Sequence, residues 1–156
     1  LCEEASGKII IWSRFRYDIV KITEKLNKTF GHQFKKVAVS FFGDTSDNER
    51  QENIKLFQDP TSTIKFLVSK HQTAGRGITL TAANTVIYYA NDFNLETRIQ
   101  SEDRCHRIGQ HNPVTYIDLI TEGTIDKKIV KSLRNKINLS AKVLGEEARE
   151  WLKLST

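Results

Sequence analysis

The sequence contains no methionine and only two cysteines, Cys2 and Cys105. Two thiols cannot build a disulfide framework, which points to a reducing compartment. A chain that starts at Leu1 and holds no Met reads as a piece of a longer polypeptide. No apolar run approaches the roughly 20 residues that cross a bilayer. No signal peptide precedes Lys8, and no membrane partner is expected. Repeats and low-complexity tracts are missing. His71, His106 and His111 lack a Cys or His partner at zinc-ligand spacing, so no metal site is expected. What remains is an ordinary soluble composition, with 38 % hydrophobic and 28 % charged residues. At 156 residues this is one domain, able to bury roughly 70 % of its unfolded surface. The net charge of +5 permits nucleic-acid contact without requiring it.

Residues 1–7 form a polar lead-in. Residues 8–12, Lys-Ile-Ile-Ile-Trp, are a short β-branched run and read as a strand buried on both faces. Ser13 and Arg14 close it. In an open α/β sheet ligands gather beyond the carboxyl ends of strands, which places these two to touch one; a plain strand-end turn reads equally well. Residues 16–30 repeat Ile19, Ile22, Leu26 and Phe30 at helical spacing. Lys21, Lys25 and Lys28 then face water, and Gly31 stops the helix. Residues 37–42 make a second strand. Gly43 to Ser46 turns the chain, and Ser46-x-x-Glu49 reads as a capping box opening a helix through Gln58. Ile54 and Phe57 face inward.

Residues 64–69, 85–90 and 114–120 read as further strands. Residues 124–139 carry a stripe of Ile125, Ile129, Leu133 and Ile137, and residues 146–154 suggest a last helix. Strands alternating with helices at this spacing predict a mainly parallel central sheet with helices on both faces, an α/β fold of three layers.

Residues 70–110 carry the chemistry. A glycine-bearing loop, Thr73-Ala74-Gly75-Arg76-Gly77, lies between two β-type runs, where a Gly-x-Gly lets backbone N–H groups approach a phosphate. If 95–107 is helical, Gln100, Arg104 and Arg107 share one face. Leu95, Ile99 and His106 fall on another that can pack. An amide and two permanently charged guanidinium groups aimed one way suit a polyphosphate that gains charge as it reacts. The same spacing also places Asp103 four before Arg107 and Glu96 four before Gln100, the pattern of a solvated ion-pair surface. Cys105 has no advertised base or oxyanion donors and reads as a packing thiol.

Gln100-x-x-x-Arg104-x-x-Arg107 followed by Ile108-Gly109-Gln110 resembles motif VI of the Swi/Snf-type ATPases, a branch of helicase superfamily two. Thr73 to Gly77 with Leu80-Thr81-Ala82-Ala83-Asn84 resembles their motif V. Lys8 to Ser13 resembles motif IV, and Gly43-Asp44-Thr45-Ser46 with Glu49-Arg50-Gln51 resembles the block that follows it. The resemblance implies the second, C-terminal RecA-like lobe of a helicase-like DNA translocase over residues 8–145, with 146–156 a C-terminal helix or extension.

It further implies ATP with Mg2+ as cofactor, the metal being held mainly by an N-terminal RecA-like lobe of the same parent chain. Double-stranded DNA is the implied partner. Arg104 and Arg107 become arginine-finger candidates, with Asp103 steadying Arg107. Gln100, Gly75 and Gly77 become nucleotide-binding candidates. Ser13, Arg14, Thr45, Lys70 and Thr73 become nucleic-acid contacts. No Gly-x-x-x-x-Gly-Lys-[Ser/Thr] and no Asp-Glu-x-His is present, so the isolated lobe is expected to be inactive. Ala74 stands where the family often has a first glycine, Lys70-His71 replaces Ser-Thr, and Asp92-Phe93-Asn94 replaces Trp-Asn-Pro. These departures suggest a phage or bacterial branch, hence a cytoplasmic protein, or a nuclear one if eukaryotic. The rival reading is a non-catalytic nucleic-acid or protein-binding module that keeps the fold. A stand-alone nucleotide binder fits less well, since no phosphate-binding loop follows the first strand.

Overall fold

The computed structural model describes residues 2–3, 5, 7–31, 35–72, 78–91 and 93–144, with side chains described as far as residue 139. Among these residues, five strands alternate with four helices: β1 (Lys8–Trp12), α1 (Arg16–Phe30), β2 (Ala38–Phe41), α2 (Asp47–Gln58), β3 (Phe66–Ser69), β4 (Ala83–Tyr88), α3 (Leu95–Glu102), β5 (Thr115–Asp118) and α4 (Asp126–Leu144). The strands form one sheet in the order β2-β3-β1-β4-β5. Every pairing is parallel. A parallel strand must have both faces covered, and Ile9, Ile10 and Trp12 of the central strand are fully buried.

Side-chain alternation assigns the helices to faces. Ile9 and Ile11 join Ile19 and Leu26 of α1 in one apolar cluster. Ile10 and Trp12 join Phe57 of α2 and Cys105 in the other. The three-layer arrangement expected from the sequence is therefore present. Ser46 caps α2, its hydroxyl accepting from Glu49 N at 3.3 Å. Gly31 ends α1 without a left-handed backbone, at φ −79°. A Cβ there would lie 2.2 Å from the Asn27 carbonyl oxygen, so crowding requires the glycine. Asn27 also staples α1 to the second strand, its Oδ1 accepting from Val37 N and Ala38 N while its Nδ2 donates to Ala38 O.

Two expectations change. β2, β3 and β5 are shorter than the runs expected for them, β4 starts two residues earlier than expected, and Leu119 and Ile120 lie exposed past the end of β5. Ile125 precedes α4 and is 59 % exposed, while Val130 joins Ile129 and Leu133 in the core. The helix expected at 146–154 falls outside the described residues.

Parallel pairing gives the sheet two distinct ends. Arg14, Thr45 and Lys70 follow β1, β2 and β3 at the carboxyl end. Residues 78–82, which lead into β4, lie at the amino end.

Candidate functional site

The helix carrying the Gln100 to Arg107 pattern does not run as far as its sequence suggests. Asn94 opens α3, its Oδ1 accepting from Thr97 N at 3.1 Å, and the helix ends at Glu102. A continued helix would give the Arg104 carbonyl to the amide four residues on. Here that carbonyl accepts instead from Leu80 N at 2.8 Å, across the sheet's amino end. Glu102 O takes both Cys105 N and His106 N at 3.0 Å, which turns the chain and drives Cys105 into the core. A tertiary bond and a buried side chain thus outcompete helix propagation.

The turn still brings the expected residues together. Gln100, Arg104 and Arg107 line one open cavity of about 670 Å³ with Thr79, Asp103, His106 and Ile108. Arg107 Nη1 donates to Thr79 Oγ1 at 3.3 Å. The Arg104 guanidinium has no hydrogen bond or ion pair among the described residues. Burial lowers its pKa, the neighbouring Arg107 lowers it further, and Asp103 works against both. Asp103 therefore acts on Arg104; the expected Asp103–Arg107 pair does not form among the described residues. His106, expected to pack, is exposed in this cavity because the helix has already ended. Gln100 Nε2 donates to Glu96 Oε1 at 2.9 Å, so this pair of the exposed face is joined by a hydrogen bond.

Gln110 anchors the loop beyond. Gly109 adopts φ +102°, a backbone that favours glycine, with open space where a Cβ would stand. That bend turns Gln110 back, so its Nε2 donates to Ala83 O at 2.8 Å, Thr81 O at 3.1 Å and Cys105 O at 3.4 Å. The segment after the glycine loop and the arginine-bearing turn thereby hold each other. Burial pushes the Cys105 thiol up to about 12, so it is a packing thiol as expected.

The nucleic-acid candidates lie elsewhere. Ser13 is wholly buried and donates to Asp18 Oδ2 at 3.3 Å, so it serves the strand-end turn and is not presented outward. Arg14 is exposed beside Phe15. Thr45 closes its own turn, its Oγ1 accepting from Phe42 N at 3.0 Å. Lys70 is half-buried. These positions sit at the carboxyl end of the sheet, whereas the arginine cavity sits at the amino end, because α3 runs back against the strands. A six-residue strand separates the two by roughly 20 Å. Thr73, Gly75 and Gly77 lie outside the described residues.

One cluster was not foreseen. Arg98 on α3 is almost enclosed, its side chain 11 % exposed. Its Nε donates to Glu102, its Nη1 to Asn91 Oδ1 at 3.0 Å, and its Nη1 and Nη2 to the two Asp118 oxygens at 2.6 and 3.4 Å. The guanidinium stacks 3.4 Å from the centre of the Tyr88 ring. Tyr88 OH lies 2.7 Å from Ser101 Oγ, which itself donates to Arg98 O. Burial alone would lower the Arg98 pKa, but Tyr88, Asp118 and Glu102 more than offset it and hold the charge firmly. Burial raises the Glu102 pKa against the pull of Arg98. The sequence signals were available: Arg98 lies four before Glu102, and Asp118 is the one acid in an otherwise apolar strand end.

A model of the helicase conserved C-terminal domain matches residues 1–109. The human lymphoid-specific helicase is 43 % identical over 102 residues, covering 65 % of this chain and 12 % of that protein. The mouse SWI/SNF-related matrix-associated actin-dependent regulator of chromatin subfamily A member 1 is 31 % identical over 144 residues, covering 92 % of this chain and 13 % of that protein. The chain thus spans about an eighth of the length of these curated relatives. The crystal structure of the C-terminal part of the Fun30 ATPase domain superposes with a TM-score of 0.69 at 31 % identity, covering 81 % of this chain and 39 % of that one. The parallel sheet with helices on both faces is therefore a RecA-like lobe. The relatives are eukaryotic, so the departures in motif V and before motif VI do not mark a phage or bacterial branch, and a bacterial cytoplasm loses its support.

Proposed function

Because this chain belongs to the helicase conserved C-terminal domain family, as a lobe of the Swi/Snf-related kind, we propose that it is the second motor lobe of a DNA-dependent ATPase that translocates on double-stranded DNA. The observation that carries this reading is the open cavity in which Arg104 and Arg107 stand side by side without a carboxylate ion pair among the described residues. Two neighbouring guanidinium groups repel, and a bound polyanion relieves that repulsion.

In this reading an N-terminal RecA-like lobe of the parent chain presents ATP with Mg2+ to the cavity and holds the metal. Arg104 and Arg107 stabilise charge developing on the transferred phosphoryl group, a contribution worth roughly 10³–10⁵ in rate. Gln100 links the γ-phosphate to the cleft by exchanging its bond to Glu96. Gly75 and Gly77 let the glycine loop approach phosphate; Arg14, Thr45 and Lys70 contribute to the DNA track at the other end of the sheet, and Thr73 is a further contact to that track. The resemblance of the relatives to chromatin regulators favours a nuclear protein.

The test is DNA-stimulated ATP hydrolysis by the full-length parent protein. Arg104→Ala or Arg107→Ala should lower kcat by about 10³ or more while the fold persists. The 156-residue chain alone should show no turnover above background. Full activity in both variants would reject the role of the arginine pair, and turnover by the isolated lobe that a cavity mutation abolishes would reject the composite site. A full-length protein without DNA-stimulated hydrolysis would favour a module that binds without hydrolysing.

A further inference from the structure

We propose that Arg98 is a positioning residue for the Arg104–Arg107 pair: a rigid fork that ties the last turn of α3 to the carboxyl ends of β4 and β5 and thereby fixes where Arg104 points. This rests on the reading of the arginine pair given above.

The connection can be followed atom by atom. Asp118 ends β5 and accepts two bonds from the Arg98 guanidinium. Asn91, just past β4, accepts another and donates its own Nδ2 to Asp118 Oδ1 at 2.7 Å. On the far side Arg98 Nε holds the Glu102 carboxylate. Glu102 is the last residue of α3, and its carbonyl receives the Cys105 and His106 amides that shape the turn. Arg104 sits inside that turn. The fork therefore stands between the sheet and the one backbone segment that aims the cavity's cations.

Stability alone gives little reason for an enclosed ionic cluster here. Desolvating two carboxylates and a guanidinium consumes much of the attraction between them, and apolar side chains in place of the whole cluster often fill such a space as well. What an apolar side chain cannot supply is direction. The planar guanidinium offers donors at fixed angles to three separate acceptors, which a lysine ammonium does not reproduce. A displacement of about 1 Å at a catalytic group can cost about 10² in rate, so a fixed direction is worth having.

The experiment uses the full-length parent protein and compares wild type, Arg98→Met, Arg98→Lys, Asp118→Asn, Arg104→Ala, Arg107→Ala and the double variant Arg98→Met/Arg104→Ala. DNA-stimulated kcat, ADP affinity and Tm are measured for each. Arg98→Met should lower kcat by about 10²-fold with ADP affinity near wild type. Its Tm should fall, since Glu102 and Asp118 lose their cation, and Arg98→Lys should restore part of the Tm but not kcat. In the Arg104→Ala background the Arg98 change should cost nothing more, since the fork acts through Arg104.

Asp118→Asn keeps the shape but loses the bidentate carboxylate. It should give a smaller loss with the same dependence on Arg104, and it decides the matter if Arg98→Met does not fold. Wild-type kcat in Arg98→Met or Asp118→Asn would overturn the proposal. So would a loss that multiplies with that of Arg104→Ala, because the fork would then serve only general integrity. Full kcat in Arg104→Ala would overturn this proposal while leaving Arg107 as the finger; full kcat in Arg107→Ala as well would overturn the reading of the arginine pair.

Discussion

The backbone amide of Leu80 donates to the carbonyl of Arg104 at 2.8 Å, joining two segments 24 residues apart in sequence. One segment leaves the glycine loop and enters β4; the other carries the cavity's arginines. Arg107 repeats the link through Thr79, and Gln110 repeats it through the carbonyls of Thr81 and Ala83. Any movement of residues 79–83 is therefore transmitted to the arginine turn by direct bonds.

Gln110 is the most heavily used of these links. Gln110→Ala leaves three part-buried carbonyls without this donor and should destabilise the lobe by about 1–3 kcal/mol. Gln110→Glu should be worse, because it sets a carboxylate against three carbonyl oxygens that the amide now satisfies. Urea unfolding of the lobe measures both. Variants that unfold with the wild-type midpoint, or a glutamate variant more stable than the alanine one, would refute the assignment.

Glu102 makes a prediction about pH. Burial raises its pKa above the ordinary value and Arg98 only partly counters this. The folded state then binds the proton more tightly than the unfolded state. Its contribution to stability is full below the unfolded pKa and is lost as pH rises through the folded one. Glu102→Gln removes this dependence while keeping an acceptor for Arg98. The Tm of Glu102→Gln relative to wild type should therefore climb as pH rises from below the ordinary glutamate range toward neutral. A relative Tm that stays flat or falls over that interval would show that Arg98 has overcome burial.

Much of the fold was legible because its signals are local. The periodicity of Ile19, Ile22 and Leu26 marked α1, Ser46 with Glu49 marked the start of α2, and three consecutive isoleucines marked the central strand. Gln100, Arg104 and Arg107 were also correctly grouped, although through a helix that stops short of two of them. What escaped was decided by partners distant in sequence. The Arg104 carbonyl leaves its helix for Leu80, which no window around residue 104 contains. His106 becomes exposed for the same reason. Arg98 carries no local signal of its pairing with Asp118, which reaches it from β5, 20 residues on. Ser13 was open to a ligand contact or a plain strand-end turn, and its hydroxyl follows the second, turning in to Asp18. The carboxyl-end rule bears on Ser13 and Arg14 alone, whereas the reversed course of α3 delivers Arg104 and Arg107 to the other end of the sheet.

The most direct test of the central claim compares two affinities in the full-length protein: ADP, and ADP with aluminium fluoride as a mimic of the phosphoryl-transfer transition state. Arginines that act on developing charge discriminate between the two. Arg104→Ala and Arg107→Ala should leave ADP affinity within a few-fold of wild type and weaken binding of the aluminium fluoride complex by about 10² or more. Equal affinity for that complex in wild type and both variants would contradict the account.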